Sequence, residues 1–217
     1  MKLLSSLFQK YFRAPGLRNT IVMLFGVAIT GLGIALFRLS NLGTDPYSGM
    51  TLAISALIGM SYPLFQILVN VVLFIVQLTV GRKYIGLGTI INAFFLAYFV
   101  SFFYWIFELC HFAPENLIVR LIVLFVGMCI CSLGLSMYQQ ADQGVAPYDA
   151  LALILHNYVQ KVPYFFWRIL CDALCALACF LGGGVLGVGT LLTAFGFGPF
   201  IQFFDRHVSR HLLHKDL

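Results

Sequence analysis

The sequence predicts an all-α polytopic membrane protein built from two inverted repeats. Each repeat has three transmembrane helices and one short re-entrant or broken helix. Three observations carry this prediction: a composition too apolar for a soluble domain, six apolar runs of near-membrane length, and a helix-breaking turn that occurs twice at one offset.

Of the 217 residues, 61% are hydrophobic and only 10% are charged, with a mean hydropathy of +0.95. A soluble domain carries about 25% charged residues. The net charge of +5 does not imply nucleic acid as a partner, because the basic residues sit at the termini and in short loops. There they act as topology signals and membrane-surface contacts, so the expected macromolecular partner is the lipid bilayer. Among the cysteines, Cys171, Cys175 and Cys179 share one helical stripe. A row of small residues of this kind lets a neighbouring helix approach closely. No metal-type Cys-x-x-Cys pattern is present, and no disulfide, metal or other cofactor is expected.

Residues 1–16 read as an amphipathic helix in the membrane interface, with Leu3, Leu4, Leu7, Phe8 and Tyr11 on one face and a stop at Pro15-Gly16. It lacks the exit of a cleaved signal peptide and is expected to be retained. The first transmembrane repeat is placed at 18–107, the second at 117–205, and a basic cytoplasmic tail at 206–217. Apolar runs at about 20–39, 63–81, 86–107, 117–138, 163–181 and 186–204 each approach the roughly 20 residues that span hydrocarbon. Between the first and second, and again between the fourth and fifth, a short helix is expected to begin at Pro46 and at Pro147. At about 12–13 residues, or roughly 20 Å, each is too short to span comfortably. Proline suits a first helical position, where its missing N–H has no partner to lose.

The repeat is set by matched polar and glycine positions rather than by apolar ones, which match cheaply in such a chain. Gly43/Gly144, Pro46/Pro147 and Tyr47/Tyr148 share an offset of 101, as do Gly26/Gly127, Gly33/Gly134, Gly86/Gly187, Gly88/Gly189 and Thr89/Thr190. This reads as an internal duplication. With three crossings per repeat and the N-terminus inside, Lys2, Lys10, Arg13, Arg18, Arg82, Lys83, Lys161, Arg206, Arg210 and Lys215 are cytoplasmic, and only Arg38 and Arg120 lie outside. Spanning short helices give a poorer segregation, because Arg82 and Lys83 move outside. An odd number of crossings makes the halves inverted, an arrangement common in secondary transporters.

Gly31-Leu-Gly-Ile-Ala-Leu-Phe-Arg-Leu-Ser-Asn-Leu-Gly-Thr-Asp-Pro-Tyr47, with Gly86-Leu-Gly-Thr-Ile-Ile-Asn92 and Gly187-Val-Gly-Thr190, resembles the bacterial YczE/YyaS/YitT family of integral membrane proteins. The resemblance covers about residues 18–206. The family's turn often reads Gly-x-x-Pro, an aromatic, then Asp, which Gly144-Val-Ala-Pro-Tyr-Asp149 matches. The first copy departs from it, with Ser48 at the acidic position and Asp45 before the proline. The resemblance implies a multi-pass protein of the bacterial cytoplasmic membrane; the Lys and Arg distribution predicts that both termini are cytoplasmic. The resemblance implies little about activity.

The candidate binding residues are Asp172, Arg168, Asn70, Gln66, Asp45, Asp149, Tyr47 and Tyr148. Arg168 and Asp172 lie at i, i+4 near the middle of the fifth run, where charge is costly unless it faces a partner or a wet cavity. Gln66 and Asn70 hold nearly the same place in the first repeat. The competing reading is a purely structural intrahelical pair. Asp45 and Asp149 belong to the short-helix N-termini, where capping is the plain explanation. If the same termini line a cavity, their carboxylates suit a cation, proton or zwitterion better than an anion. Asn92, Gln77 and Gln202 read as interhelical hydrogen-bond partners, and His207, His211 and His214 as solvated surface. The chain has no recognisable nucleophile–base arrangement and is not expected to be an enzyme. The favoured function is a secondary transporter or permease for an unidentified small solute. The alternative is a non-transporting membrane partner or modulator of an enzyme complex. Homo-oligomerisation is left open by the sequence.

Overall fold

In lipid every backbone polar group needs a partner within the protein, and a helix supplies those partners within one segment. The computed structural model describes residues 16–162 and 164–213, and there the chain is helical almost throughout. The expected interfacial helix at 1–16 falls outside the described residues, apart from Gly16. The helices are α1 (Leu17–Ser40), α2 (Pro46–Leu57), α3 (Tyr62–Val80), α4 (Leu87–Leu109), α5 (Leu117–Gln140), α6 (Pro147–Tyr158), α7 (Tyr164–Leu181) and α8 (Val188–Phe204). A 3-10 turn, Arg82–Tyr84, joins α3 to α4.

Four of these helices, α1, α3, α4 and α5, are long and apolar enough to cross a membrane. α7 has 18 residues and carries Arg168 and Asp172, and α8 has 17 residues with Pro199 inside it. The short helices α2 and α6 have 12 residues each, and both start on the proline that the sequence marks. After α8 the chain passes through a π-helical stretch, Asp205–Ser209, into a last turn at Arg210–Leu212. That segment folds back onto the bundle: the Ser209 and Ser136 hydroxyls lie 2.6 Å apart, and Leu213 packs with Val22 and Met137.

The core is built on α1 and α5, which pack against each other along most of their lengths. Gly26 meets Gly134 and Tyr138, Gly33 meets Cys131, and Gly127 meets Leu36 and Phe37. Contacts that climb one helix descend the other, so α1 and α5 run antiparallel. Lipid tails are as apolar as leucine, so helices in a bilayer associate through close packing, which small residues permit. A Cβ at Gly33 would fall 2.5 Å from the Cβ of Cys131 and 2.7 Å from its Cα. The backbones are therefore too close for any side chain there. Met23, Val27, Phe37, Leu124 and Tyr138 fill the rest of this seam, with Val100 and Ala97 of α4 against it.

Around the central pair the short helices cross over. α2 packs on α7, and α6 packs on α3. The cysteine stripe serves the first of these contacts, since Gly49 of α2 faces Cys179 of α7.

Gly33→Val is expected to lower the thermal unfolding midpoint of the detergent-purified protein, with an overpacking cost of about 1–3 kcal/mol. An unchanged midpoint would mean that α1 and α5 do not approach this closely.

Candidate functional site: a cavity where the short helices meet

The site begins with two turns of the same backbone shape. Asn41 and Asp142 take φ of 52° and 54°, and Gly43 and Gly144 take 99° and 95°. Asn and Asp tolerate the left-handed region better than other side chains, and glycine enters it freely. Both turns lean on the opposite half of the chain. The amide of Gly88 donates to the carbonyl of Gln143 at 2.7 Å, and the amide of Gly189 donates to the carbonyl of Leu42 at 2.8 Å. A Cβ at Gly144 would sit 2.5 Å from Thr89 Oγ1, and one at Gly43 would sit 2.6 Å from Thr190 Oγ1. The Gly-x-Gly-Thr elements are thus docking platforms for the turns. They are not phosphate loops.

The turns launch α2 and α6 toward one point. There the rings of Tyr47 and Tyr148 stack, with centroids 4.4 Å apart and planes inclined by 15°. Each hydroxyl donates away from the stack, Tyr47 to Asn70 Oδ1 at 2.7 Å and Tyr148 to Asp172 Oδ1. Asn70 uses its amide NH₂ as well, donating to the carbonyl of Ala93 at 2.9 Å. The Tyr47–Asn70–Ala93 chain is therefore neutral and fully hydrogen-bonded.

The second half is charged. Arg168 bonds Asp149 through Nη1 and lies with Nε 3.4 Å from Asp172 Oδ2. Its guanidinium carbon stands 5.0 Å from the centre of the Tyr148 ring. One arginine thus ties α7 to the N-terminus of α6 while holding its own i+4 neighbour. Asp45 has a different task. It caps α2 by accepting from the Ser48 amide at 3.0 Å, and the Thr44 hydroxyl donates to it at 3.2 Å. α6 has no such side-chain cap, so Asp149 is left to pair with Arg168.

These residues wall a cavity of about 730 Å³. Asp45, Tyr47, Asn70, Tyr148, Asp149, Arg168 and Asp172 all reach its surface. Gln66 does not. It is buried on α3, and its Oε1 has no hydrogen-bond partner. The wall also includes Asn92, Thr193, Gln139, Gln202 and Asp205, which sequence reasoning did not assign to a site. Thr193 is the offset partner of Asn92, and that pairing was the available signal. Gln77 does bridge elements, donating to the carbonyls of Tyr84 and Val145.

The cavity extends toward the C-terminal ends of α5 and α8, as Gln139, Gln140, Gln202 and Asp205 on its wall show. The matching ends of α1 and α4 are packed together. Arg38 sits 3.7 Å over the Tyr104 ring, and Phe37, Phe103 and Phe107 join the core there.

Residues 17–206 match the Family of unknown function (DUF6198). The chain is similar to "Uncharacterized protein YyaS" of Bacillus subtilis (strain 168), at 31% identity over 88% of this chain and 94% of that one. It is also similar to an "Uncharacterized protein" of Haemophilus influenzae, at 26% identity over 87% of this chain and 84% of that one. No solved structure matches. The relatives agree with the YyaS part of the resemblance, while none of them carries the YczE or YitT name.

In a thermal-unfolding double-mutant cycle, Arg168→Gln and Asp149→Asn are expected to couple by about 0.5–3 kcal/mol, the range for residues in direct contact. Additive effects would place the two side chains apart.

Proposed function

The chain belongs to the Family of unknown function (DUF6198), and from the geometry of its cavity we propose that it is a secondary transporter of a small organic solute in the bacterial cytoplasmic membrane. One observation carries the reading: two broken-helix N-termini, with their tyrosines stacked, converge on a cavity whose largely apolar wall carries a cluster of charged and amide groups. Transporters place their substrate sites at such interrupted helices, between structural repeats.

The inverted-repeat reading is supported by the antiparallel run of α1 against α5 and by the reciprocal bonds of the two turns. Equivalent helices run antiparallel when each repeat crosses the membrane an odd number of times. In this reading α1, α3 and α4 cross in the first half and α5, α7 and α8 in the second, while α2 and α6 re-enter. Both termini are cytoplasmic by the distribution of Lys and Arg. The cavity mouth at the ends of α5 and α8 then faces the cytoplasm, and the Arg38–Tyr104 contact closes the outer side.

Alternating access requires that the closed seam open in turn. The α1–α4 ends, held by a cation over a ring and by aromatic packing, would loosen as the α5–α8 ends close. Arg168 is the natural coupling element, because it links the short helix α6 to α7 and touches the cavity. The solute would meet Arg168 and Asp172 directly, and a coupling proton would have Asp172 or Asp149 as its carrier.

In proteoliposomes, uptake is to be measured across labelled amino acids, amines, organic acids and nucleobases. A carried solute is expected, with flux lost in both Asp172→Asn and Arg168→Gln. No flux for any class, together with a stable heteromeric complex on mild extraction, would replace transport by the partner role. Orientation has its own test, since Cys110 is exposed between α4 and α5. A membrane-impermeant maleimide is expected to label it on intact spheroplasts. Labelling only after permeabilisation would mean that the short helices span.

A further inference from the structure

The polar groups on the cavity wall are unequal in charge and in the kind of hydrogen bond they offer. Asp45, Asp149, Asp172 and Asp205 reach it, against Arg168. Arg210 neutralises Asp205, at 3.1 Å. Arg168 pairs with Asp149 and Asp172, and Asp45 has no cationic partner among the described residues, so the formal count is two negative charges in excess. Excess charge in a low-dielectric site is costly until a counter-charge arrives. Ionised carboxylates are also acceptor-only, so these groups offer only hydrogen-bond acceptors, on a wall that is otherwise largely apolar.

Asn92 points to a ligand independently of this charge. It is only 6% exposed and lies on the cavity wall, yet its side chain makes no hydrogen bond among the described residues. Buried amides are normally paired. The contrast with Asn70, which spends both ends of its amide on Tyr47 and Ala93, and with Thr193, which bonds the Thr190 carbonyl, is local and clear. An uncommitted amide facing a cavity is a group waiting for a partner. The cavity volume of about 730 Å³ lies within the roughly 300–1,000 Å³ of small-molecule sites. A bare inorganic ion would leave most of that space to water.

We propose that the cavity binds a protonated organic amine, with its ammonium N–H groups donating to the Asp149–Asp172 carboxylates and to the Asn92 side-chain oxygen. This assignment of solute class rests on the transporter reading, but binding and transport are separable by experiment. The ammonium supplies the missing positive charge and the missing donors together. A carboxylate solute of the same shape meets the same wall with the wrong sign.

The test uses the full-length purified protein and two sets of isosteric probes at matched ionic strength. One set is phenethylamine, 2-phenylethanol and phenylacetate, and the other is butylamine, butanol and butyrate. Thermal unfolding is expected to rise with the amines and not with the alcohols or carboxylates. Asn92→Leu, which removes no existing hydrogen bond, is expected to fold as well as the parent. It should bind the amines about tenfold more weakly, the size of one hydrogen bond to a charged group. Asp149→Asn is expected to weaken them further. Stabilisation by the carboxylates instead, no discrimination by charge, or an Asn92→Leu variant that binds amines unchanged would each overturn the proposal. Amines that bind but are not carried would leave the class standing and sink transport. Carboxylates that bind and are carried would do the reverse.

Discussion

The structure depends on one constraint: where a turn enters an apolar bundle, its buried backbone must find protein partners, because lipid offers none. The chain meets that constraint twice, each time by borrowing from its other half. The carbonyls of Leu42 and Gln143 accept from Gly189 and Gly88. The carbonyl of Val145 accepts from the Thr89 hydroxyl at 2.9 Å, while its amide donates to Tyr84. The glycines of the Gly-x-Gly-Thr elements are required because a side chain there would collide with the turn it supports. Each half supplies part of the support of the other's turn, so the two halves are expected to fold as one unit.

This mutual support is what positions the site. With each turn fixed from outside its own segment, α2 and α6 begin at a set place and their first-turn tyrosines meet face to face. Offset-stacked aromatic pairs contribute about 0.5–1.5 kcal/mol beyond the area they bury, so the stack is a modest latch rather than a rigid pillar. The α1–α5 seam has no such give. Its glycines bring two backbones into contact, and most of the buried aliphatic core lies along it. The molecule thus combines a stiff central pair with short helices held by packing on α7 and α3 and by a few polar bonds.

The two turns share a backbone shape and reciprocal bonds, but the side chains around them differ. The Tyr47–Asn70 bond and the Tyr148–Asp172 bond are counterparts, yet the first is neutral and the second lies in a charged group with Arg168 and Asp149. Arg38 stacks on Tyr104 at one end, whereas the counterpart positions, Gln139 and Asp205, stand on the open cavity wall at the other. The frame supplies the place, and the substitutions within it supply charge and access. An account of function has to start from those differences.

The sequence by itself determined the helices and the two breaks, because apolar length and the Gly-x-x-Pro-Tyr pattern are local properties of the chain. It marked Pro46 and Pro147 as helix starts, and the four long helices match its apolar runs. It also singled out seven of the residues that the fold brings to one cavity, since charge in an apolar run and a matched offset are visible without coordinates. What only the tertiary structure decided is who bonds whom. Arg168 holds Asp149 from another helix as well as Asp172 from its own, Asp45 is spent on a cap, and Gln66 is buried off the cavity wall. Asn92, which the sequence read as an interhelical link, is left unpaired on that wall, while Gln77 makes the link. The reason is geometric. Spacing along a helix fixes which face a residue occupies, but the partner across that face belongs to a distant segment whose place is set by backbone packing at Gly33, Gly86 and Gly187.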